Sequence, residues 1–198
     1  MMFAPLVLPA QVWLILMLPL LSCALVVPLR AEGAEQVILL HGLARTNAAM
    51  EPLAEALCTA GYGVLNIDYP SRTAPIAVLA ENAIGPALAA ARRAGATRIH
   101  FVTHSMGGIL VRVYLAGHTV PELGRVVMLG PPNQGSEVVD RIGSWRLFRA
   151  LNGPAGNELG TGRDSTPNRL GPVNYPVGAI AGRRSINWIN SLMIPGPD

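Results

Sequence analysis

Thr103-His104-Ser105-Met106-Gly107-Gly108 is entered from the apolar run 99–102 and left through residues 109–115, whose pattern predicts a helix. A strand passing through a sharp turn into a helix is the setting in which a serine becomes a nucleophile. The turn would lift the Ser105 hydroxyl above the end of a sheet and aim the backbone N–H of Met106 at whatever that oxygen attacks. Gly107 and Gly108 carry no side chain, so the helix can begin close against the strand.

Upstream, short apolar runs alternate with helical stretches. Residues 37–40 read as a strand ending at His41-Gly42. Residues 47–60 read as a helix, with Thr46 or Asn47 as cap, Met50, Leu53, Ala54 and Leu57 on one face, and Gly61 as its stop. A second strand, 64–67, ends in Asp68. A second helix spans 76–94, with a kink expected at Gly85-Pro86, and residues 98–103 form the third strand. Downstream, residues 106–116 form a third helix and 125–129 a fourth strand that stops at Gly130-Pro131-Pro132. Residues 133–176 are rich in Gly, Pro and Asn, apart from an amphipathic patch at 138–151 holding Trp145, Leu147 and Phe148. This segment reads either as a lid or acyl-binding wall or as plain packing against the core. Residues 177–181 give a fifth strand.

Strands alternating with helices predict an α/β fold with a mostly parallel sheet and helices on both faces. The continuous Val, Ile and Leu of the strands match burial on both sides. In such sheets ligands gather beyond the carboxyl ends of the strands. His41-Gly42, Asp68, Ser105 and Pro131-Pro132-Asn133 all fall there.

The 198 residues are 51% hydrophobic and 14% charged, with a formal charge of +3. The arginines are spread along the chain, which argues against a nucleic-acid face. Two cysteines, Cys23 and Cys58, give neither a disulfide framework nor a zinc spacing. Residues 1–29 hold no charge, with Gln11 and Ser22 the clearly polar members. That is longer than the about 20 residues a helix needs to cross a bilayer. Two readings of residues 1–33 stand. One is a secretory signal, with small residues around Ala31-Glu32-Gly33 but no basic start; the other is an uncleaved anchor kinked at Pro9 and Pro19. Either makes the remainder, 34–198, exported or membrane-facing.

With these motifs placed, the chain resembles the α/β-hydrolase superfamily, and within it the bacterial lipase-like and esterase-like members. His41-Gly42-Leu43, Thr103 to Gly108, and Leu129-Gly130-Pro131-Pro132-Asn133-Gln134-Gly135-Ser136 carry the resemblance, over residues 36–198. Thr103 departs from the family's G-x-S-x-G, in which glycine stands, and is expected to crowd the turn. The resemblance implies hydrolysis of an ester or lipid substrate through an acyl-enzyme on Ser105, with no cofactor and no metal. It places the oxyanion between the N–H groups of Leu43 and Met106. His41, Gly42, His104 and Gly107 support the site, His41 by shaping its loop.

The family order, serine, acid, then histidine, meets a difficulty. The one histidine after Ser105 is His118, which a helix would carry roughly 16 Å away. The resemblance implies Asp198 as the acid, while Asp140 and Asp164 lie too early. The last strand, the histidine loop and the closing helix are therefore expected to be missing, as after a premature stop or frameshift. Three functions follow: a hydrolase by ancestry with weak or no activity, a non-catalytic membrane-associated binding protein, or an acyltransferase on the same turn.

Overall fold

The structure, a computed structural model, describes residues 35–142 and 146–182. The leader and Asp198 lie outside the described residues, as do Trp145 and the side chains of Leu147 and Phe148. Five parallel strands form one sheet in the order β2-β1-β3-β4-β5: β1 (Glu35–Leu40), β2 (Gly63–Ile67), β3 (Arg98–His104), β4 (Leu123–Leu129) and β5 (Val177–Ile180). The chain leaves β1 toward β2, returns through β3 on the other side of β1, and then moves steadily outward. The reversal lies between β1 and β3, whose carboxyl ends carry His41-Gly42 and Ser105 respectively.

Alternation along β1 builds both faces, because successive side chains in a strand point to opposite sides. Ile38 and Leu40 join Ile84, Leu88, Ile109 and Leu110, from α2 (Ile76–Arg93) and α3 (Met106–Gly117), in the larger core. Val37 and Leu39 pack with Met50 and Ala54 on the opposite face. Met50 closes a 3-10 turn, Asn47–Met50, and Ala54 belongs to α1 (Glu51–Thr59). The helix expected over 47–60 is thus divided, with Pro52 in the first turn of α1, where its missing N–H costs nothing.

The kink expected at Gly85-Pro86 gives way to one continuous helix, α2, with Pro86 inside it. Pro86 is exposed, as is Asn82, whose carbonyl the proline leaves without a helical donor. Water can take that carbonyl, while Ala83, Ile84, Ala87 and Leu88 keep the buried face in register. β5 departs from two-sided burial: it is exposed along its length, with Ile180 at 61%.

Between β3 and β4 the register shifts: Ile99 faces Leu123, but Phe101 faces Val126. The extra residue in β4 is a bulge, which leaves an amide without a ladder partner. His100 takes it, its Nδ1 accepting the Arg125 N–H at 2.9 Å. The ring lies over Gly124, where a Cβ would come within 2.4 Å of Cε1. Nδ1 must therefore be unprotonated, leaving Nε2 facing Glu35 Oε2 at 3.5 Å. Burial lowers the His100 pKa; Glu35 works against this, and Arg125 and Arg98 add to it.

A histidine held neutral in the fold contributes stability that is complete above its unfolded pKa of about 6.5. That stability is lost as pH falls through 6.5 toward the folded value. Between pH 7.5 and pH 5, the wild-type chain is expected to lose about 1 kcal/mol that His100→Gln does not lose, the worth of one buried hydrogen bond. Urea midpoints at the two pH values check this; equal losses in both proteins would refute it.

Candidate active site

Ser105 connects β3 to α3 with φ 52° and ψ −124°, a backbone state that few residues other than glycine adopt and that costs about 1–3 kcal/mol. The surroundings hold it in place. The Ser105 N–H donates to the Leu129 carbonyl at the end of β4 (2.9 Å), and the Gly108 N–H donates to the Ser105 carbonyl (3.0 Å). A Cβ at Gly107 would lie 2.6 Å from the Leu40 carbonyl oxygen and 2.9 Å from that of His41, so α3 starts in backbone contact with β1. Thr103 is fully buried. A Cβ at Gly108 would stand 3.2 Å from its Oγ1, so the bare Gly108 gives Thr103 the room that a family glycine would not need.

The His41-Gly42-Leu43 loop faces this turn, and a Cβ at Gly42 would lie 3.1 Å from the Ser105 Cβ. The loop closes as the Arg45 N–H donates to the Gly42 carbonyl (3.3 Å), with Ala44 at φ 54°. The buried Ser71 hydroxyl accepts the Ala44 N–H at 3.0 Å, which helps hold a conformation that alanine disfavours. The Leu43 and Met106 amides have no hydrogen-bond acceptor among the described residues. For Met106, the first residue of α3, that is the normal state of a helix start.

All four histidines of the sequence are described. His41 is fully buried and stacked on Tyr69, with ring centroids 4.2 Å apart. Its Nδ1 donates to the Gly42 carbonyl (2.8 Å), and its Nε2 accepts the Tyr69 N–H (3.4 Å). The Tyr69 hydroxyl returns a 2.6 Å bond to the His41 carbonyl. Nδ1 is thus committed to the loop and Nε2 to the end of β2, where Asp68 Oδ1 also lies 3.4 Å from it. His100 sits at the start of the sheet, away from the strand ends. His118 follows the last turn of α3, bonded to the Tyr114 carbonyl and stacked on that ring. His104 adjoins Ser105, but its ring lies beside Gly42; desolvation lowers its pKa, with help from Arg45 and His41. Ser105 makes no hydrogen bond to any histidine among the described residues.

Residues 133–176, read from sequence as irregular, contain three helices: α4 (Glu137–Ile142), α5 (Arg146–Asn157) and α6 (Thr166–Arg169). Gly153, at φ 65°, breaks α5 where a Cβ would run into the Arg72 carbonyl oxygen. Glu158 caps α2 from a distance: one carboxylate oxygen accepts the Ile76 N–H (3.2 Å), and the other accepts the Thr166 hydroxyl (2.8 Å). Asp140 is held by the amide and hydroxyl of Thr161.

Arg112, on α3, is 7% exposed. It donates to the Asn133 carbonyl and side chain (both 3.1 Å), to the Pro167 carbonyl (3.2 Å) and to the Gly171 carbonyl (2.8 Å). Sequence reasoning passed over it as one scattered arginine. The available signal was a single charge inside Ile109-Leu110-Val111-Arg112-Val113-Tyr114, an otherwise apolar helix.

A model of the alpha/beta hydrolase family matches residues 37–187. No curated protein matches the chain. Among solved structures, the chain is similar to the mature form of lipase BlEst2 from Bacillus licheniformis, at 23% identity and a TM-score of 0.63 over 79% of this chain and 69% of that one. The propeptide form of that lipase gives 25% identity and a TM-score of 0.62, over 76% of this chain and 36% of that one. Phospholipase PlaB from Legionella pneumophila in complex with thio-NAD gives 23% and 0.60, over 76% and 38%. The chain therefore spans little more than a third of the last two proteins.

Proposed function

This chain belongs to the alpha/beta hydrolase family, and from that premise we propose that it is a serine-dependent carboxylic ester hydrolase domain, lipase-like or esterase-like, acting on an ester or lipid. The observation carrying the reading is Ser105, held at φ 52° at the point where the strand order reverses, with the amides of Leu43 and Met106 lacking an acceptor among the described residues. In sheets of this kind ligands bind at that reversal.

Ser105 Oγ attacks the ester carbonyl, the oxyanion forms between the Leu43 and Met106 N–H groups, and the alcohol departs to leave an acyl-enzyme that water hydrolyses. Attack needs a base to take the hydroxyl proton. None of the four histidines is placed to take it: His41 has both nitrogens engaged, the His104 ring lies against Gly42 without a bond to Ser105, and His100 and His118 lie away from this turn. Turnover by these 198 residues accordingly rests on the oxyanion hole and on binding, which in related machinery retain about 10³–10⁴-fold over water. The same observation favours a second reading, a protein that binds esters without turning them over.

The purified chain is expected to take up a fluorophosphonate at Ser105 over hours, seen as added mass that is absent in Ser105→Ala. It is expected to hydrolyse p-nitrophenyl butyrate no faster than Ser105→Ala does. A folded chain that gains no mass would refute the nucleophile. Serine-dependent turnover many times background would refute the missing base. Export or membrane anchoring rests on the uncharged leader and is part of the proposal; the mass of the mature protein tests whether the leader is removed. Among the described residues, no helix is long and apolar enough to cross a membrane.

A further inference from the structure

Two clefts meet at Arg45, just above the strand ends. One, of about 350 Å³, is walled by Met50, Pro52, Leu53 and Leu129, with His104 on its rim. It opens beside the proposed nucleophile, since His104 precedes Ser105 and the Leu129 carbonyl holds the Ser105 N–H. The other, of about 410 Å³, is walled by Thr46, Asp68, Ser71, Arg72 and Thr73, and Arg72, unlike Arg45, is engaged by another group. Arg45 lines both. It is exposed, and its guanidinium makes no hydrogen bond or ion pair among the described residues. Asp68, which lines the same polar cleft, already accepts the Asn47 N–H at 3.2 Å and lies 3.4 Å from His41 Nε2.

An apolar cleft beside the proposed nucleophile, a polar cleft that shares Arg45 with it and an uncommitted cation on the ridge form a two-part receptor. Resting on the reading of Ser105 as nucleophile, we infer that the ester taken here is amphiphilic and anionic. Its acyl chain lies between Met50, Leu53 and Leu129, and the negative charge of its alcohol part pairs with Arg45. The apolar cleft is near the lower end of the roughly 300–1,000 Å³ range of small-ligand pockets, so short or medium acyl chains fit it best. The acyl chain then lies against the α1 side of the sheet. Residues 133–176, stitched to the core by Arg112 and Glu158, are not its wall.

Binding to the full chain carrying Ser105→Ala separates this inference from catalysis. Calorimetry would compare octanoyl-glycerol-3-phosphate with neutral mono-octanoylglycerol, both below their micelle concentrations. The anionic ester is expected to bind at least about tenfold tighter, the worth of a charge-assisted hydrogen bond. Arg45→Gln should bring the two within about twofold while leaving the melting temperature unchanged, since Arg45 is exposed and unpartnered. Leu53→Trp should weaken both.

Equal binding of the two esters, or a preference that survives Arg45→Gln, overturns the inference. So does adsorption to phosphatidylglycerol vesicles without binding of the monomeric ester, which would assign the cation to a lipid surface. Anion-selective binding in a protein whose Ser105 resists phosphonylation would count against the nucleophile and leave this receptor standing.

Discussion

Gly107→Ala is expected to destabilise the chain by about 3 kcal/mol or more, a large share of the roughly 5–15 kcal/mol that holds a domain folded. The new Cβ would stand 2.6 Å and 2.9 Å from the carbonyl oxygens of Leu40, the last residue of β1, and of His41 just beyond it. Neither oxygen can turn aside as a flexible side chain does, so α3 must lift from the sheet. Ser105 and the Met106 amide sit at the start of that helix and would move with it. Gly85→Ala provides the contrast. Its Cβ would meet only the Tyr114 hydroxyl, at an ordinary 3.8 Å, and removing a mid-helix glycine is worth about 0.5–1 kcal/mol. The same chemical change is thus expected to raise the urea midpoint at position 85 and collapse it at position 107. Equal shifts at the two sites would contradict the close contact.

Arg112→Ala is expected to cost about 2–4 kcal/mol and to open residues 160–176 to protease. Its guanidinium satisfies four acceptors contributed by Asn133, Pro167 and Gly171, and each unpaired buried acceptor costs about 1–3 kcal/mol. Water entering from the adjoining cleft recovers part of that. Burial lowers the Arg112 pKa, yet arginine stays charged at any working pH. Arg112→Lys should restore little, because one ammonium cannot span acceptors on two separate segments of the chain, Asn133 and 167–171. Arg92→Ala, which breaks the exposed pair with Glu122, should stay within about 1 kcal/mol. Urea midpoints and limited proteolysis check all three; an Arg112→Ala chain as stable as Arg92→Ala would show that the arginine ties nothing down.

The elements that sequence made legible are those in which pattern and burial coincide. Runs such as Val37 to Leu40 have no plausible state but a buried strand, and Ser105 with its glycines announces a turn by the absence of side chains. Local pattern misled where distant groups decide. Gly153-Pro154 reads as a loop, yet the glycine is set by the Arg72 carbonyl pressing on it from another part of the chain. Pro86 reads as a kink, yet its solvent-facing position leaves the helix continuous. Glu158 at the start of α2 and His100 at the bulge cap backbone groups 82 and 25 residues away, and no window of sequence contains both partners. The functional reading divides similarly. The Ser105 turn and the Met106 amide that follows it are local and legible, whereas the proposed receptor around Arg45 takes shape only once α1 and β4 are brought together.

The strand order also governs how the chain comes to be assembled. β1 is the first of the described strands to be made and lies inside the sheet, paired on one side with β2 and on the other with β3. Its second partner begins at Arg98, after α1, β2 and the whole of α2. Until then Ile38 and Leu40 lack half of their cover, and loop closure over such separations is what slows parallel sheets. A nascent chain halted within α2 would hold an open, apolar strand edge of the kind that invites aggregation. The Ser105 turn and the second partner of β1 thus arrive together, with the synthesis of β3.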